Sequence, residues 1–347
     1  MNKSIERRLD RLHEPSSTRP SGAVLADNNF KLRKHTALRL SSIAAVWASI
    51  LCAQDITGGP PTVQFITVDQ DVKLEVLDWG GTGRPVVLLT GLGNNAHIYD
   101  QFAPKLTTSY HVYAVTRRGF GASSAPAPTD VNYSANRLGD DVLAVIDSLK
   151  LNRPVLVGHS IAGQELSSVG SRHPEKVAGL IYLDAGYSYA YYDRSRGDLL
   201  IDAAELRKKL EQFQPGRGPQ DLRQLIQELL DTSLPELEKK LRESQKRLQA
   251  RPPASAGPSP PRIPPIHQAI LAGMQKYTDL PVPILAIFAV PHDSDPVDQD
   301  TEEQAKAFES GISTARVVRL PHANHYVFMS NEADVLGEIN AFLRTLP

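Results

Sequence analysis

From residue 62 onward, short apolar runs alternate with amphipathic segments of helical length, and this alternation restricts the architecture more than any other feature of the chain. Pro85–Thr90 (PVVLLT), His111–Thr116, Pro154–Gly158, Val177–Leu183, Val282–Ala289 and Ala315–Leu320 are nearly continuous in apolar residues. That is the pattern of strands buried on both faces of a parallel sheet. Ala96–Thr107, Tyr133–Leu149, Ser160–Arg172, Thr301–Ser310 and Asn331–Leu346 carry helical periodicity between them. Thr62–Asp69 and Val72–Trp79 alternate with period two and read as a hairpin. Strands alternating with helices predict an α/β fold: a mostly parallel, doubly wound sheet with helices on both faces. No internal repeat is visible.

The alternation holds over residues 62–186 and 280–347, which are expected to form the core. Residues 187–279 break it. They are charged and helical in pattern over Leu199–Phe213, Gln220–Leu230 and Pro235–Ala250. A Pro-rich loop, Arg251–Pro265, and a last helix, Ile266–Tyr277, complete the stretch. An insertion at the carboxyl end of a parallel strand lies where ligands bind, so a helical lid is expected.

Upstream, residues 1–30 are polar, lack periodicity and read as a disordered extension. Residues 31–53 are signal-like: Lys31, Arg33, Lys34 and Arg39 precede the apolar run Leu40–Ala53. That run is short of the about 20 residues a membrane span needs, so no stable span is expected in the mature chain. Export to the periplasm or medium is expected if the segment is used, with a mature chain from about residue 54, and a cytoplasmic protein otherwise. A formal net charge of -1 provides no basic field for nucleic acid. The single cysteine, Cys52, excludes an intrachain disulfide and a CxxC pair. No clustered set of metal-ligating side chains stands out, so neither metal nor organic cofactor is expected and the partner is a small-molecule substrate. Oligomeric state is not encoded in any of these features.

The chemistry-bearing motif is Gly158-His-Ser-Ile-Ala-Gly163, which follows an apolar strand and opens a helix. A nucleophilic serine needs that strand–turn–helix context and small residues two positions to either side. Gly158 and Ala162 fill those positions around Ser160, and Gly163 adds room.

With LLTGLG (88–93), RRGFGASSAP (117–126) and PHANHYVF (321–328), the chain from about residue 62 resembles the α/β-hydrolase superfamily of serine hydrolases, esterase- or lipase-like, with a helical lid. The resemblance implies a serine hydrolase with Ser160 as nucleophile and His325 as general base. His325 precedes Tyr326 and Val327 as the family histidine precedes such a pair, which favours it over His322. The oxyanion hole is expected from the backbone N–H groups of Leu92, in TGLG, and Ile161. Gly91 and Gly93 would let that backbone approach the substrate closely. The acid is placed among Asp293 and Asp295, in AVPHDSDP after one strand, and Asp184, in IYLDAG after the preceding strand. Asp293, closest to its strand end within the usual family position, is the preferred assignment. RRGFG is expected to shape a turn rather than do chemistry. Cleavage of a carboxylic ester or related acyl bond is the leading expectation. Acyl transfer, C–C hydrolysis by the same nucleophile and non-catalytic ligand binding are the alternatives. Haloalkane dehalogenases and epoxide hydrolases of similar fold carry Asp where this chain has Ser160. Some of Tyr187, Tyr189, Tyr191 and Tyr192, where the insertion departs, are expected to line an apolar acyl or aryl pocket.

Overall fold

The apolar runs become the strands of one eight-stranded sheet in the order β1-β2-β4-β3-β5-β6-β7-β8. The strands are β1 (Thr62–Asp69), β2 (Val72–Gly80), β3 (Pro85–Leu89), β4 (His111–Val115), β5 (Val155–His159), β6 (Gly179–Leu183), β7 (Ile284–Val290) and β8 (Ala315–Pro321). The computed structural model describes residues 59–213, 218–249, 262–290 and 296–347. The amino-terminal extension, the signal-like segment, most of the Pro-rich loop, Asp293 and Asp295 lie outside the described residues. β1 and β2 pair antiparallel, β2 pairs antiparallel with β4, and every other pairing is parallel.

Period-two alternation divides the core into two layers. Val87, Leu89, Leu156, Tyr182, Ala286 and Phe288 point to one face. There they meet Val142 and Val145 of α1 (Ala135–Ser148), Leu166 and Val169 of α2 (Gly163–Arg172), and Phe308 from a later helix. Val86, Leu88, Val157, Ile181, Leu183 and Ile287 point the other way, onto Tyr99, Phe102, Phe328, Ile339 and Phe342. β5 and β6 are buried along their whole length, which is why they lack the polar residues of half-exposed strands. Each fully buried aliphatic or Phe side chain contributes about 1.5–3 kcal/mol.

Among the described residues between β6 and β7 lie four helices: α3 (Leu199–Leu210), α4 (Pro219–Glu228), α5 (Leu234–Gln249) and α6 (Pro265–Ala272). A π-helical stretch, Leu229–Ser233, joins α4 to α5. α7 (Pro296–Gly311) and α8 (Glu332–Leu343) flank β8. None of the described helices is long and apolar enough to cross a membrane.

Two expected helices differ. Ala96–Thr107 resolves into two 3-10 turns, Ala96–Tyr99 and Ala103–Lys105. Pro104 has no N–H to continue a helix from the first turn into the second. The expected Ile266–Tyr277 helix stops at Ala272 because Gly273 docks on the α1 entry. A Cβ at Gly273 would stand 2.6 Å from Ser134 Cα.

A charge cluster fastens α3 to the segment that returns to the sheet. Lys276 Nζ lies 2.9 Å from Asp202 Oδ1 and 2.5 Å from Glu205 Oε2, and it sits 4.6 Å from the Tyr192 ring centroid. Lys209 adds a contact of 3.2 Å to Glu205. Burial raises the Glu205 carboxyl, but the bonds from Lys276 and Lys209 outweigh it and hold the group below its ordinary range. A carboxyl depressed on folding contributes stability above its unfolded pKa and loses it as pH falls through the folded one. Glu205→Gln is therefore expected to cost about 0.5–1 kcal/mol at pH 7, discounted for partial exposure. In chemical unfolding across a pH series, the gap from the native chain should begin to close in the ordinary carboxylate range and vanish below the depressed value.

Candidate active site

Ser160 stands where β5 turns into α2, with φ of +55°. A left-handed serine is strained by on the order of 1 kcal/mol or more, so the surrounding packing must hold it. The two glycines show how. A Cβ at Gly158 would lie 2.9 Å from Leu166 in α2, and one at Gly163 would lie 2.1 Å from the Ala185 carbonyl oxygen. Strand, turn and helix thus close on themselves through Gly158. Through Gly163 they close on the segment leaving β6.

Sheet order then brings the partners in. β5 lies between β3 and β6, with Leu89 opposite Gly158 and Leu183 opposite His159. The loop after β3 and the residue after Leu183 therefore flank the elbow. Leu92 and Ile161, the expected oxyanion donors, are both buried and share one apolar cluster with Tyr133, Leu138, Ala269 and Ile270. Phe120, Tyr189, Ile266 and Leu271 pack against it. Gly93 supplies a left-handed turn at φ +84°, and the space a Cβ would need at Gly91 is taken by His159 Nδ1, 2.7 Å away.

Asp184 is the carboxylate on His325. His325 Nδ1 donates to Asp184 Oδ2 at 2.7 Å. Tyr187 Oη donates to the same oxygen at 3.0 Å, and the Ala289 N–H of β7 donates to Oδ1 at 3.0 Å. Asp184 itself is left-handed at φ +44°, a conformation Asp tolerates better than most residues. Among the described residues Asp184, one of the three candidate acids, is thus the carboxylate on the imidazole. Asp293, the preferred acid of the sequence, and Asp295 lie outside the described residues. His322 is exposed at the end of β8, while His325 reaches the buried carboxylate.

Four residues matter more than the sequence suggested. His159 is fully buried, and its Nε2 lies 2.9 Å from the His325 carbonyl oxygen. Burial, reinforced by the nearby His325, holds the His159 imidazole well below its usual range. It is therefore neutral, and the carbonyl acceptor places its proton on Nε2. Its ring packs 4.7 Å from that of His325 and 4.8 Å from that of Tyr326. Arg117 and Glu165 form a buried ion pair beneath the loop after β3. Arg118, fully buried, is bidentate on Asp141 of α1, with Nε 2.6 Å from Oδ2.

The four tyrosines separate. Tyr187 supports Asp184, Tyr191 packs edge-on against Phe308, and Tyr192 donates to Asp202 at 2.5 Å. Only Tyr189 packs against the cluster that holds Leu92 and Ile161. Of the four, Tyr189 is thus the candidate for a pocket-lining residue.

A doubly wound sheet with a serine at a left-handed strand–helix elbow, beside a histidine–aspartate pair, has the architecture of an α/β hydrolase. Residues 86–338 match the Alpha/beta hydrolase family, and the chain belongs to it. Fluoroacetate dehalogenase from a Burkholderia species is 34% identical over 116 residues, which is 33% of this chain and 38% of that protein. Epoxide hydrolase A from Mycobacterium tuberculosis is 32% identical over 127 residues, 36% of this chain and 39% of that protein. The chain thus spans less than half the length of these relatives. A thermophilic esterase from Thermogutta terrifontis superposes with TM-score 0.52 and 19% identity over 82% of this chain and 98% of its own. E-2-(acetamidomethylene)succinate hydrolase does so with TM-score 0.52 and 18% identity over 82% and 99%. Likeness at this identity is a likeness of fold.

The contact at Gly163 is against backbone, which cannot rotate away. Gly163→Ala is expected to cost about 1–3 kcal/mol in denaturant unfolding, the range for overpacking a filled core. Gly337→Ala, in α8 with nothing within 4 Å of the added Cβ, is the control and should gain about 0.5–1 kcal/mol.

Proposed function

We propose that the chain is a serine hydrolase that cleaves a carboxylic ester or related acyl bond through an acyl-enzyme. The observation that carries this reading is the buried Asp184 on Nδ1 of His325, next to an elbow whose nucleophile position is Ser160. With Nδ1–H committed to Asp184, Nε2 holds the free lone pair and acts as the base. It takes the Ser160 hydroxyl proton as Oγ attacks the acyl carbon. The developing oxyanion is stabilised by the Leu92 and Ile161 N–H groups. The imidazolium, held by the Asp184 charge, returns the proton to the leaving alcohol. Water then repeats the sequence on the acyl-enzyme and frees the acid. Serine rather than aspartate at the elbow sets this chain apart from the aspartate-nucleophile chemistry expected of dehalogenases and epoxide hydrolases. The apolar residues around the donors favour a neutral, apolar acyl group.

A fluorophosphonate probe should label the native protein at Ser160 and fail to label Ser160→Ala. Asp184→Asn should cut turnover of p-nitrophenyl esters by about 10³–10⁴-fold while the fold survives, because the imidazole loses its tautomer and its counter-charge. A native protein that the probe leaves unlabelled would sink the reading.

The acyl pocket gives a separate expectation. Tyr189→Ala should shift the preferred p-nitrophenyl ester chain length, whereas Tyr191→Ala should lower thermal stability and leave the profile in place. An unchanged profile in Tyr189→Ala would remove Tyr189 from the pocket.

A further inference from the structure

Beneath the loop after β3, one guanidinium holds two consecutive peptide carbonyls. Arg117 Nη2 donates to the Thr90 carbonyl at 2.6 Å and Nη1 to the Gly91 carbonyl at 3.3 Å. Its Nε donates to Glu165 Oε1, in the first turn of α2, five residues past Ser160. Arg117 and Glu165 are 5% and 3% exposed. Both line a cavity of about 10 Å³ together with Thr90 and Asp141, room for about one water. The pair is therefore almost dry, and its bonds are stronger than they would be in solvent.

The peptide plane gives this contact a consequence at the active site. In a trans peptide, C=O and N–H point in opposite directions from one rigid plane. The Gly91 carbonyl and the Leu92 N–H belong to the same plane, and no cis peptide bond is present among the described residues. Arg117 and the Asn94 N–H, at 3.3 Å, both hold that carbonyl. Fixing it on the Arg117 side directs the Leu92 N–H to the other. We propose that Arg117, anchored by Glu165, is a positioning residue that sets the Leu92 N–H as an oxyanion donor and ties its aim to the helix that carries the nucleophile. This rests on the serine-hydrolase reading.

Removing one partner alone leaves a buried charge, so the informative variant is the double change Arg117→Leu with Glu165→Leu, which removes both charges. Arg117→Lys is the second variant. It keeps the charge opposite Glu165 but, lacking the planar fork, cannot span both carbonyls. Each is read by p-nitrophenyl butyrate kinetics, by the fluorophosphonate labelling rate and by hydrogen exchange of the Asn94 amide. In either variant kcat and the labelling rate are expected to fall by about 10- to 100-fold, short of the loss of a whole donor. KM should change by less than about threefold, since a donor aimed at the oxyanion acts mainly in the transition state. The Asn94 amide should exchange faster as its acceptor loses its second anchor. A purely structural pair would lower thermal stability and leave kcat alone. The proposal is overturned if a folded variant keeps kcat and labelling within about twofold of native, whatever Asn94 does. Failure of the underlying reading looks different: the native protein itself is then not labelled at Ser160, and unchanged Asn94 exchange in the variants would still overturn the hold on the loop.

Discussion

The left-handed Ser160 is the constraint on which the rest of the site depends. A serine at φ +55° persists only where its neighbours leave the backbone no other course. Here β5 is buried from end to end, so the strand cannot slide, and α2 begins within three residues. The missing Cβ at Gly163 lets the Ala185 carbonyl fit against the start of that helix. Ala185 follows Asp184, so the contact that permits the elbow also fixes the segment bearing the acid. The Ser160 elbow and the Asp184 carboxylate are two consequences of one close approach.

The buried charges serve geometry more than stability. Replacing a buried ion pair by well-packed apolar residues is often neutral or favourable, so such pairs are weak stability devices. Their placement is the informative property. Arg118 joins the turn after β4 to Asp141 of α1, and Gly119 and Gly121 take the positive φ values that turn requires. The expectation that RRGFG shapes a turn holds for this half of the motif. Arg117 points elsewhere, to the loop after β3 and to α2. Adjacent arginines thus set two different pieces of backbone.

Most of the fold was legible because doubly buried strands leave an unmistakable run of apolar residues, as in PVVLLT and GLIYL. The elbow was legible for a steric reason that sequence records directly: only small residues fit at 158 and 163. The two 3-10 turns were not, because the apolar spacing of Ala96, Tyr99, Phe102 and Ala103 fits a helix as well, and only Pro104 hinted otherwise. Glu165 could have been flagged. The stretch GQELSSVG follows the elbow directly, and all of it is buried, so an acid within it requires a cation, and the Arg117–Arg118 doublet offers one. Which of the four tyrosines would face a pocket was not legible, because a run of tyrosines gives no sign of which rings face a pocket and which pack helices on a sheet.

The acid was the residue that local sequence could not assign, and the reason is topological. β6 and β7 are neighbours, and in the sequence each is followed by aspartate. The path of the histidine loop accounts for the contact with Asp184. That loop leaves β8, beyond β7, yet its anchors lie farther across the sheet. His159 at the end of β5 holds the His325 carbonyl at 2.9 Å, and Asn94 after β3 donates to Tyr326 Oη at 3.3 Å. A loop drawn from β8 to β5 must pass β6 on the way. The carboxylate it meets there is Asp184, whose preceding residue Leu183 is the register partner of His159 itself. His159 is thus the residue that draws His325 over Asp184.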